Sequence, residues 1–433
     1  MVGFNAVNSR KTTVHLFSVR TGGGEKLEAE VQPGGEEKCT APEGETWVAR
    51  DAGRIVAVYR ATPRVARWTI ARADTGFAVD LQAGDAGDYN ESLVPNVRFL
   101  KPSGTIRAVM LFVKFADTTK PDADEHQVVA RIVGTADAEL RRVSFDEVGL
   151  NVTPVPGWRQ LSKPASAYAD SSCGCASSGL RPFLEEAVAL YRSGVDFSQY
   201  EVVYVVAAES EDFRLSPAWV AERDGAIQTA TGDTRYAVAF GEDSYDSDNA
   251  TFLLLHETYH LMGLPDLYDG GEVAEKGHRR GFSNSGLSRW DLMASQRGDA
   301  DLLGWHRLKL GWLHPSQVIG LYGYGSIEVD LADWTGPDGV KAVTVPVTRR
   351  ADVADASMAY VAEVAAPRGA GVLVYSVNAA LPTWERPVQM RSGPDALSNE
   401  PLTKGQSFTH LSGVTVTVVR RLNSGYRVRV EKG

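Results

Sequence analysis

The hydrophobic and polar positions divide the chain into regions of different pattern. In the first ~75 residues, and again from residue 319 onward, short alternating apolar and polar runs are separated by Gly, Pro and Asn turns. Between these regions, longer apolar runs occur together with helical periodicity. The patterns predict an α+β multidomain protein with a small β-sandwich over 1–75, a surface linker over 76–105, a mixed domain over 106–318 and a C-terminal β-sandwich over 319–433.

The central region carries two apolar runs that are typical of buried strands, Ile106–Phe115 and Tyr200–Ala208. A third, weaker strand is predicted over Arg235–Phe240, and the segment Ala138–Pro154 is predicted as strand as well. Helical periodicity over Leu180–Ser193 predicts a helix behind this sheet. We therefore expect a mixed sheet that is covered by helices.

Candidate chemistry is concentrated in the segment HETYHLMGLPD, which follows an apolar stretch that would bury a helix in the core. His256 and His260 are four residues apart, so on a helix both imidazoles project from one face, with Glu257 beside it. Gly263 follows where the helix must end, because glycine enters the left-handed region at little cost. The chain can then turn back and bring Asp266 under the two rings.

This arrangement places two imidazole nitrogens and one carboxylate oxygen around one point, which is the ligand set of a catalytic zinc site. We predict that His256, His260 and Asp266 bind Zn²⁺ and leave a fourth position open. Glu257 would act as the catalytic general base that polarises the zinc-bound water. An HExxH pattern also arises by chance, so the alternative is a buried helix whose histidines bond to neighbouring groups.

Three stretches, HETYHLMGLPDLYD, WDLMAS and LGWHRLKLGWL, together resemble the immune inhibitor A-like metalloproteases of the metzincin clan. The resemblance covers Arg107 to the C-terminus. It implies a metzincin-like catalytic domain with mixed sheet, backing helix and active-site helix, in which Met293 forms the Met-turn beneath the metal. It also implies a secreted protease. The chain departs from the family at Tyr259, where the family usually has glycine.

The same resemblance implies how a substrate binds. In metzincins a strand just before the zinc helix forms the upper rim of the cleft, and an extended peptide adds to such an edge. The predicted edge strand would present Tyr236, Val238 and Phe240 to a protein or peptide substrate. Tyr259 and Tyr268 are candidates for stabilising the oxyanion, although the sequence does not set the direction of either ring.

The N-terminal region shows a second resemblance. A turn at Pro33-Gly34-Gly35 and the stretch ETWVARDAG, which carries the core aromatic Trp47, resemble the β domain of the von Hippel-Lindau tumour suppressor. Glu45 stands where that domain has a histidine that helps bind hydroxyproline, so the peptide-binding activity is not carried over. We favour a β-sandwich that serves as a spacer, and a module that binds a protein or surface ligand is the alternative.

Several other side chains allow both a structural and a functional interpretation. The carboxylates of EDSYDSD, residues 242–248, would cap the zinc helix, with Ca²⁺ as a second candidate cofactor because hard cations prefer oxygen ligands. His278 is a candidate extra ligand, but a solvated loop histidine is the preferred interpretation. Tyr375 and Trp384 are candidate sugar platforms, and we favour packing for both.

Composition and charge exclude some partners. The net charge is −10 and no basic run stands out, which argues against nucleic acid. No stretch approaches the roughly 20 apolar residues that span a bilayer, so no transmembrane segment is expected. The three cysteines, Cys39, Cys173 and Cys175, leave at least one thiol unpaired within the chain.

The first residues lack the apolar core of a signal peptide, so either the protein is cytoplasmic or its leader has been removed. The family resemblance favours the second alternative and an extracellular protein. The predicted function is zinc-dependent hydrolysis of peptide bonds. The alternative is a non-catalytic secreted binding or attachment protein on a metzincin-like scaffold, whose metal would be structural.

Overall fold

In the described residues, strands outnumber helices and form several sheets, in agreement with an α+β multidomain protein. Cys173, Cys175 and His278 lie outside the described residues, so the interpretations of these side chains stay predictions. The computed structural model describes the chain except for positions 20–24, 44, 53, 62–66, 71–74, 77–80, 82, 84–85, 95, 170–177, 223–224, 247, 269–285, 297, 299, 315–316, 323–324, 348–356, 366–369 and 393–399.

The N-terminal region is a pair of small sheets, with strand orders β4-β1-β7 and β3-β2-β5-β6. Trp47 is buried as expected, and its ring meets Phe4 edge-on at 5.2 Å between centroids. Tyr59 and Trp68 stack at 5.3 Å in the same core. Because each large ring removes much apolar surface from water, these four rings are a main part of the core of this small unit. The strands are β1 (Val2–Asn8), β2 (Val14–Val19), β3 (Glu25–Val31), β4 (Glu36–Ala41), β5 (Thr46–Asp51), β6 (Arg54–Arg60) and β7 (Arg67–Ile70).

Described residues of the segment over 76–105 are buried and bonded to the rest of the protein, which corrects the expectation of a linker lying on the surface. Glu91 is fully buried, and its Oε1 lies 3.0 Å from Nε2 of His306. The N–H of Leu100 donates to the carbonyl of Leu261 at 2.8 Å. A composition rich in Asp, Gly and Ala suggests a solvated loop. Here the Glu91 carboxylate is buried instead, because the buried His306 cation beside it compensates its charge.

The central sheet has the strand order β10-β9-β12-β16-β13, with β11 beside β9. All neighbouring pairs are parallel except β13, which runs antiparallel to β16 and forms the edge. A separate pair, β14 and β15, forms a small hairpin. The strands are β9 (Gly104–Lys114), β10 (Val148–Pro154), β11 (Arg159–Gln160), β12 (Val202–Ala207), β13 (Ala218–Val220), β14 (Ile227–Gln228), β15 (Asp233–Thr234) and β16 (Tyr236–Phe240).

Alternating residues of β9 enter two different cores, because successive side chains of a strand point to opposite faces. Val109, Leu111 and Val113 pack with α3 on one face, whereas the residues between them pack with α1, α2 and α4 on the other. This double burial explains why β9 is apolar at almost every position. The helices are α1 (Glu125–Ile132), α2 (Ala136–Ser144), α3 (Leu180–Tyr191), α4 (Ala250–Leu261) and α5 (Gly304–Lys309).

The prediction of strand over Ala138–Pro154 is wrong in its first half, which belongs to helix α2. Leu140 and Val143 share its buried face at helical spacing. On the outer face, Arg141 pairs with Asp137 one turn away. The strand begins only at Val148, after a left-handed residue has ended the helix.

The C-terminal region is the expected β-sandwich. Its sheets have the orders β22-β21-β20-β19-β17-β8 and β18-β25-β24-β23, and they enclose an aliphatic core. Strand β8 comes from the start of the supposed linker and pairs antiparallel to β17. The strands are β8 (Thr75–Gly76), β17 (Val318–Leu321), β18 (Gly325–Ala332), β19 (Ala342–Pro346), β20 (Met358–Val364), β21 (Val372–Asn378), β22 (Val388–Met390), β23 (Ser407–Thr409), β24 (Val414–Leu422) and β25 (Gly425–Lys432).

The six-stranded C-terminal sheet is joined to the central region through polar contacts at helix α5. Glu363 accepts from the backbone N–H of Gly304 at 2.8 Å and from the hydroxyl of Tyr375 at 2.7 Å. Burial raises the pKa of Glu363 to about 8. Tyr375 is therefore a packing residue and not a sugar platform, since it is fully buried. None of the helices in the described parts of the chain is long and apolar enough to cross a membrane.

Candidate metal centre

Helix α4 is the central element of the site, and most of its residues are buried. It lies between the sheet and helices α1 and α2, which accounts for apolar residues on all its faces. Asn249 occupies the N-cap without a side-chain hydrogen bond, and the Asp246 carboxylate accepts from the backbone N–H of Asp248 and the side-chain amide of Asn249. The burial of most of its residues shows that packing contributes strongly to holding this helix.

Gly263 ends the turn after α4 in the left-handed region, with φ at +94°. A Cβ atom here would lie 2.6 Å from the ring of Phe99, so both the backbone angle and the available space require glycine. The N–H of Leu264 then donates to the carbonyl of Tyr259 at 3.1 Å, which turns the chain back. The sequence prediction that this turn would bring Asp266 under the two imidazoles agrees with the position that Asp266 has.

Three acceptor atoms converge at the end of this turn. Nε2 of His256 and Nε2 of His260 are 3.1 Å apart, and each lies 3.2 Å from Oδ1 of Asp266. A tetrahedral zinc ion with bonds of about 2.0–2.1 Å keeps its ligand atoms roughly 3.3–3.4 Å apart. The three atoms thus fit three corners of such a site, and they form the single group of three or more His, Cys, Asp and Glu ligands found among the described residues.

The hydrogen bonds on the far side of each ring fix the tautomers. Nδ1 of His256 donates to the carbonyl of Leu292 at 2.8 Å, and Nδ1 of His260 donates to the carbonyl of Leu264 at 2.7 Å. A neutral imidazole that donates from Nδ1 carries its lone pair on Nε2. Two lone pairs and a carboxylate oxygen therefore face one another in a buried space, which requires a proton or a metal cation between them.

The charges inside the centre are strongly coupled. Burial raises the pKa of Asp266, but the neighbouring His260 and His256 outweigh burial and hold that pKa well below its usual range. Burial lowers the pKa of His260, and the Asp266 carboxylate more than reverses this, so the net shift is upward. Without a metal the site would hold a proton on a histidine, and metal binding would displace that proton.

The segment predicted to form a Met-turn contacts the chain that carries the candidate ligands. Met293 is fully buried in a 3₁₀ turn over Leu292–Ala294, and its carbonyl accepts from the N–H of Leu267 at 3.1 Å. Asp291 caps this turn by accepting from the N–H of Met293 at 2.8 Å. The turn thus holds the His256 ring through the carbonyl of Leu292, and it holds the chain next to Asp266 through the carbonyl of Met293.

Glu257 lies beside the three ligands without joining them. Its Oε1 is 4.0 Å from Nε2 of His256, and its Oε2 accepts from the N–H of Ala218 at 2.8 Å. Glu257 is only 5% exposed. Burial raises its pKa to about 8; His256 opposes this shift and Asp266 adds to it. A carboxylate poised near neutrality, next to a candidate metal, suits a general base.

The predicted substrate edge is wrong, because β16 lies between β12 and β13. Tyr236, Val238 and Phe240 therefore belong to an internal strand that is hydrogen-bonded on both sides. The edge strand next to helix α4 is β13, and the N–H of its Ala218 donates to Glu257 of that helix. A three-residue strand gives almost no periodic signal in sequence, which is why it was missed.

The two candidate tyrosines are in different places. Tyr259 is fully buried, and its ring faces Trp312 at 6.1 Å on the side of α4 away from the ligands, so it does not serve the oxyanion. This packing accounts for a large ring where the resembling family has glycine. Tyr268 lies next to the site, where burial and the Asp266 carboxylate raise its pKa well above the usual range.

Two residues of the C-terminal region reach the site and were not expected there. Trp384 donates from Nε1 to Oδ2 of Asp266 at 2.6 Å, and Thr383 Oγ1 accepts from the N–H of Asp266 at 3.0 Å. Packing is therefore not the main role of Trp384, which is 54% exposed. No local pattern links these positions to Asp266, because they are separated from it by 118 and 117 residues.

The acidic stretch before α4 is used within the protein. The carboxylate of Asp243 accepts from the N–H and hydroxyl of Ser216 at 3.1 and 2.5 Å. These bonds tie the stretch to the segment that leads into β13. Calcium binding at this place stays a prediction.

Comparisons with known proteins add no family assignment. No protein-family model matches the chain, and no curated protein matches it. The geometry of the metal centre is thus the ground for assigning a function.

Proposed function

We propose that this protein is a zinc-dependent endopeptidase with a metzincin-like catalytic domain, related to the immune inhibitor A-like metalloproteases. The observation that carries the proposal is the convergence of Nε2 of His256, Nε2 of His260 and Oδ1 of Asp266 beside a non-ligating Glu257. A structural zinc site needs four protein ligands and no adjacent base, whereas a catalytic site uses three. The Met-turn under the ligands supports the same assignment.

The chemistry that a bound zinc ion supplies is Lewis-acid activation of water and of the scissile carbonyl. Oε2 of Glu257 is held by the N–H of Ala218, which leaves Oε1 on the side of His256. Oε1 accepts the proton of the attacking water and later returns it to the leaving amine. Tyr268 keeps its phenolic proton because its pKa is raised, and its side chain hydrogen-bonds to the Asp266 carboxylate.

The edge strand β13 supplies the surface for an extended substrate. Residues 217, 219 and 221 pair with β16, as the bond from the N–H of Ala239 to the carbonyl of Pro217 illustrates. Ala218 and Val220 consequently direct their backbone groups outward, toward Glu257 and Arg98. A peptide that lies along this edge passes next to the proposed base, which favours protein substrates. Secretion, as in the resembling family, is part of the proposal.

The test compares the wild-type chain with Glu257→Gln and Glu257→Ala, using zinc content and casein cleavage as readouts. Both variants should retain Zn²⁺, because Glu257 is not a ligand, and should lose cleavage by about 10²–10⁴-fold or more. The exposed Glu43 offers a matched control, and Glu43→Gln should cleave as the wild type does. Normal turnover by Glu257→Ala, or a wild-type chain without bound zinc, contradicts the proposal.

The burial of the site favours one alternative, a non-catalytic binding protein on the same scaffold. Glu257 and Asp266 are each only 5% exposed, as they would be in a structural metal site. Such a protein would retain zinc and cut neither casein nor a mixed proteome. Cleavage that is lost on Glu257→Gln therefore decides between the two functions.

A further inference from the structure

The loop between β21 and β22 of the C-terminal sheet, residues 379–387, reaches the metal centre, and we name it the clamp loop. Its base is closed by the N–H of Asn378, which donates to the carbonyl of Pro387 at 2.8 Å. Its tip is tied to the segment before β9, because the N–H of Thr383 donates to the carbonyl of Tyr89 at 3.3 Å. The clamp loop is thus held on both sides while it contacts Asp266.

The two oxygens of Asp266 face different partners, and the Tyr268 side chain also hydrogen-bonds to this carboxylate. Oδ1 faces the imidazoles of His256 and His260 at 3.2 Å. Oδ2 accepts the indole N–H of Trp384 at 2.6 Å, and the backbone N–H of Asp266 donates to Thr383 Oγ1 at 3.0 Å. The clamp loop therefore fixes both the side chain and the backbone of one candidate ligand. These contacts keep Oδ1 turned toward the rings.

The backbone of the clamp loop is strained where it makes these contacts. Trp384 and Arg386 have φ values of +69° and +54°, although neither is glycine. Such conformations are unfavourable and persist where the surroundings impose them, often at functional sites. The indole also remains 54% exposed. Packing alone would bury the ring and relax the backbone, so the hydrogen bond to Asp266 is the better explanation of its position.

We propose that Trp384 is a positioning residue of the metal centre and that the C-terminal β-sandwich is therefore part of that centre. This inference rests on the metal site of the proposed function. The indole N–H holds Oδ2, so the Asp266 carboxylate presents only Oδ1 to a metal ion. A carboxylate without this bond could rotate and offer both oxygens. Outer partners of metal ligands typically contribute 10–100-fold in metal affinity.

The experiment replaces Trp384 by Phe, which keeps an aromatic ring and removes the N–H. Zinc affinity is measured by competition with a chelator, and the absorption spectrum of the Co²⁺-substituted protein reports the coordination geometry. Trp384→Phe should bind zinc about 10–100-fold more weakly and give a changed Co²⁺ spectrum. Thr383→Val, which removes the acceptor for the Asp266 backbone, should shift the affinity in the same direction.

The matched control is Trp158→Phe, which removes an indole N–H that donates to the carbonyl of Ala123 at 2.9 Å, outside the metal centre. Its zinc affinity and Co²⁺ spectrum should equal those of the wild type. If Trp384→Phe and Thr383→Val also equal the wild type, the positioning role is wrong while the zinc site stands. If the wild-type chain binds no zinc, both the zinc site and the positioning role are wrong.

Discussion

Two buried clusters of histidine and carboxylate lie close together in this protein, and they are built on opposite principles. In the metal centre, His256 and His260 each give Nδ1 to a backbone carbonyl and direct Nε2 at Asp266. In the second cluster, both ring nitrogens of His306 face carboxylates, Asp291 at 2.8 Å and Glu91 at 3.0 Å. The first cluster directs two ring nitrogens at one carboxylate oxygen, whereas the second places one imidazole between two carboxylates.

The pKa of His306 expresses this difference. Burial lowers the pKa of His306, but the carboxylates of Asp291 and Glu91 outweigh burial and raise that pKa to about 10. The imidazole is therefore a cation at neutral pH. All three side chains are fully buried, and a charge can remain there only if it is paired. Asp291 also caps the 3₁₀ turn over Leu292–Ala294 and accepts from the N–H of Leu303 at 2.9 Å. Through these bonds, the second cluster helps to hold the 3₁₀ turn that contacts the first cluster.

The comparison teaches that a buried histidine beside a carboxylate is not by itself a metal ligand. The distinguishing feature is what the far ring nitrogen contacts. A carbonyl at Nδ1 leaves a lone pair on Nε2 for a metal, whereas a carboxylate at each nitrogen stabilises the imidazolium. The clearest tests are therefore changes that affect one cluster and spare the other.

The largest effect is expected for His260→Gln. The substitution removes one of three candidate ligands, so zinc affinity should fall by more than the roughly 10–100-fold that outer partners contribute. Thermal unfolding with and without a chelator checks this, because zinc should stabilise the wild type but not the variant. A variant that still binds zinc as tightly as the wild type would remove His260 from the metal centre.

The same substitution in the second cluster, His306→Gln, should act on the fold and not on the metal. Two buried carboxylates would lose their cation, and breaking a buried ion pair in this way typically costs about 3–5 kcal/mol. Zinc affinity should change far less than in His260→Gln, because Asp291 keeps its bonds to Met293 and Leu303. Denaturant unfolding of the metal-free protein measures the loss, and unchanged stability would refute the ion-pair assignment.

The two clusters should also respond to pH in opposite directions. The folded pKa of His306 is raised from 6.5 to about 10, so its stabilisation is fully present below about pH 6.5 and is lost as the pH rises through 10. In the proposed metal centre, protons would compete with zinc for the histidine nitrogens, so bound zinc should be released on acidification. Zinc titrations and unfolding curves between pH 5 and 10 should show the opposite trends.

The convergence of His256, His260 and Asp266 could be predicted because their spacing is local. Four residues separate the histidines, so helix geometry places both rings on one face, and the left-handed Gly263 then turns the chain back so that Asp266 meets them. The buried strand β9 was predictable for a similar reason, since both of its faces are apolar. Helix α2 was mistaken for strand because a short amphipathic helix and a partly buried strand give similar apolar counts.

The partners of these local elements were not predictable. Glu91 meets His306 across 215 residues, and Trp384 meets Asp266 across 118. Neither position belongs to a periodic pattern of apolar residues. Segments rich in Asp, Gly and Pro are instead expected to be loops exposed to solvent. Such contacts depend on how the regions of the chain pack against one another. A single sequence shows no local pattern from which this packing could be predicted. They also coincide with buried charge and strained backbone, where local rules are expected to fail.

The smallest effect is expected for Glu91→Gln, which leaves a neutral acceptor of the same shape beside His306. The variant should lose about 1.5–3 kcal/mol, the usual contribution of a hydrogen bond to a charged group, because Asp291 still pairs with the ring. One carboxylate fewer should lower the pKa of His306, so stability should begin to fall at a lower pH than in the wild type. Unfolding at several pH values, with Glu43→Gln as the exposed control, measures both changes. If the stability of Glu91→Gln equals that of the control throughout, the Glu91–His306 contact does not contribute to attaching the segment over 76–105, and the second cluster consists of His306 and Asp291.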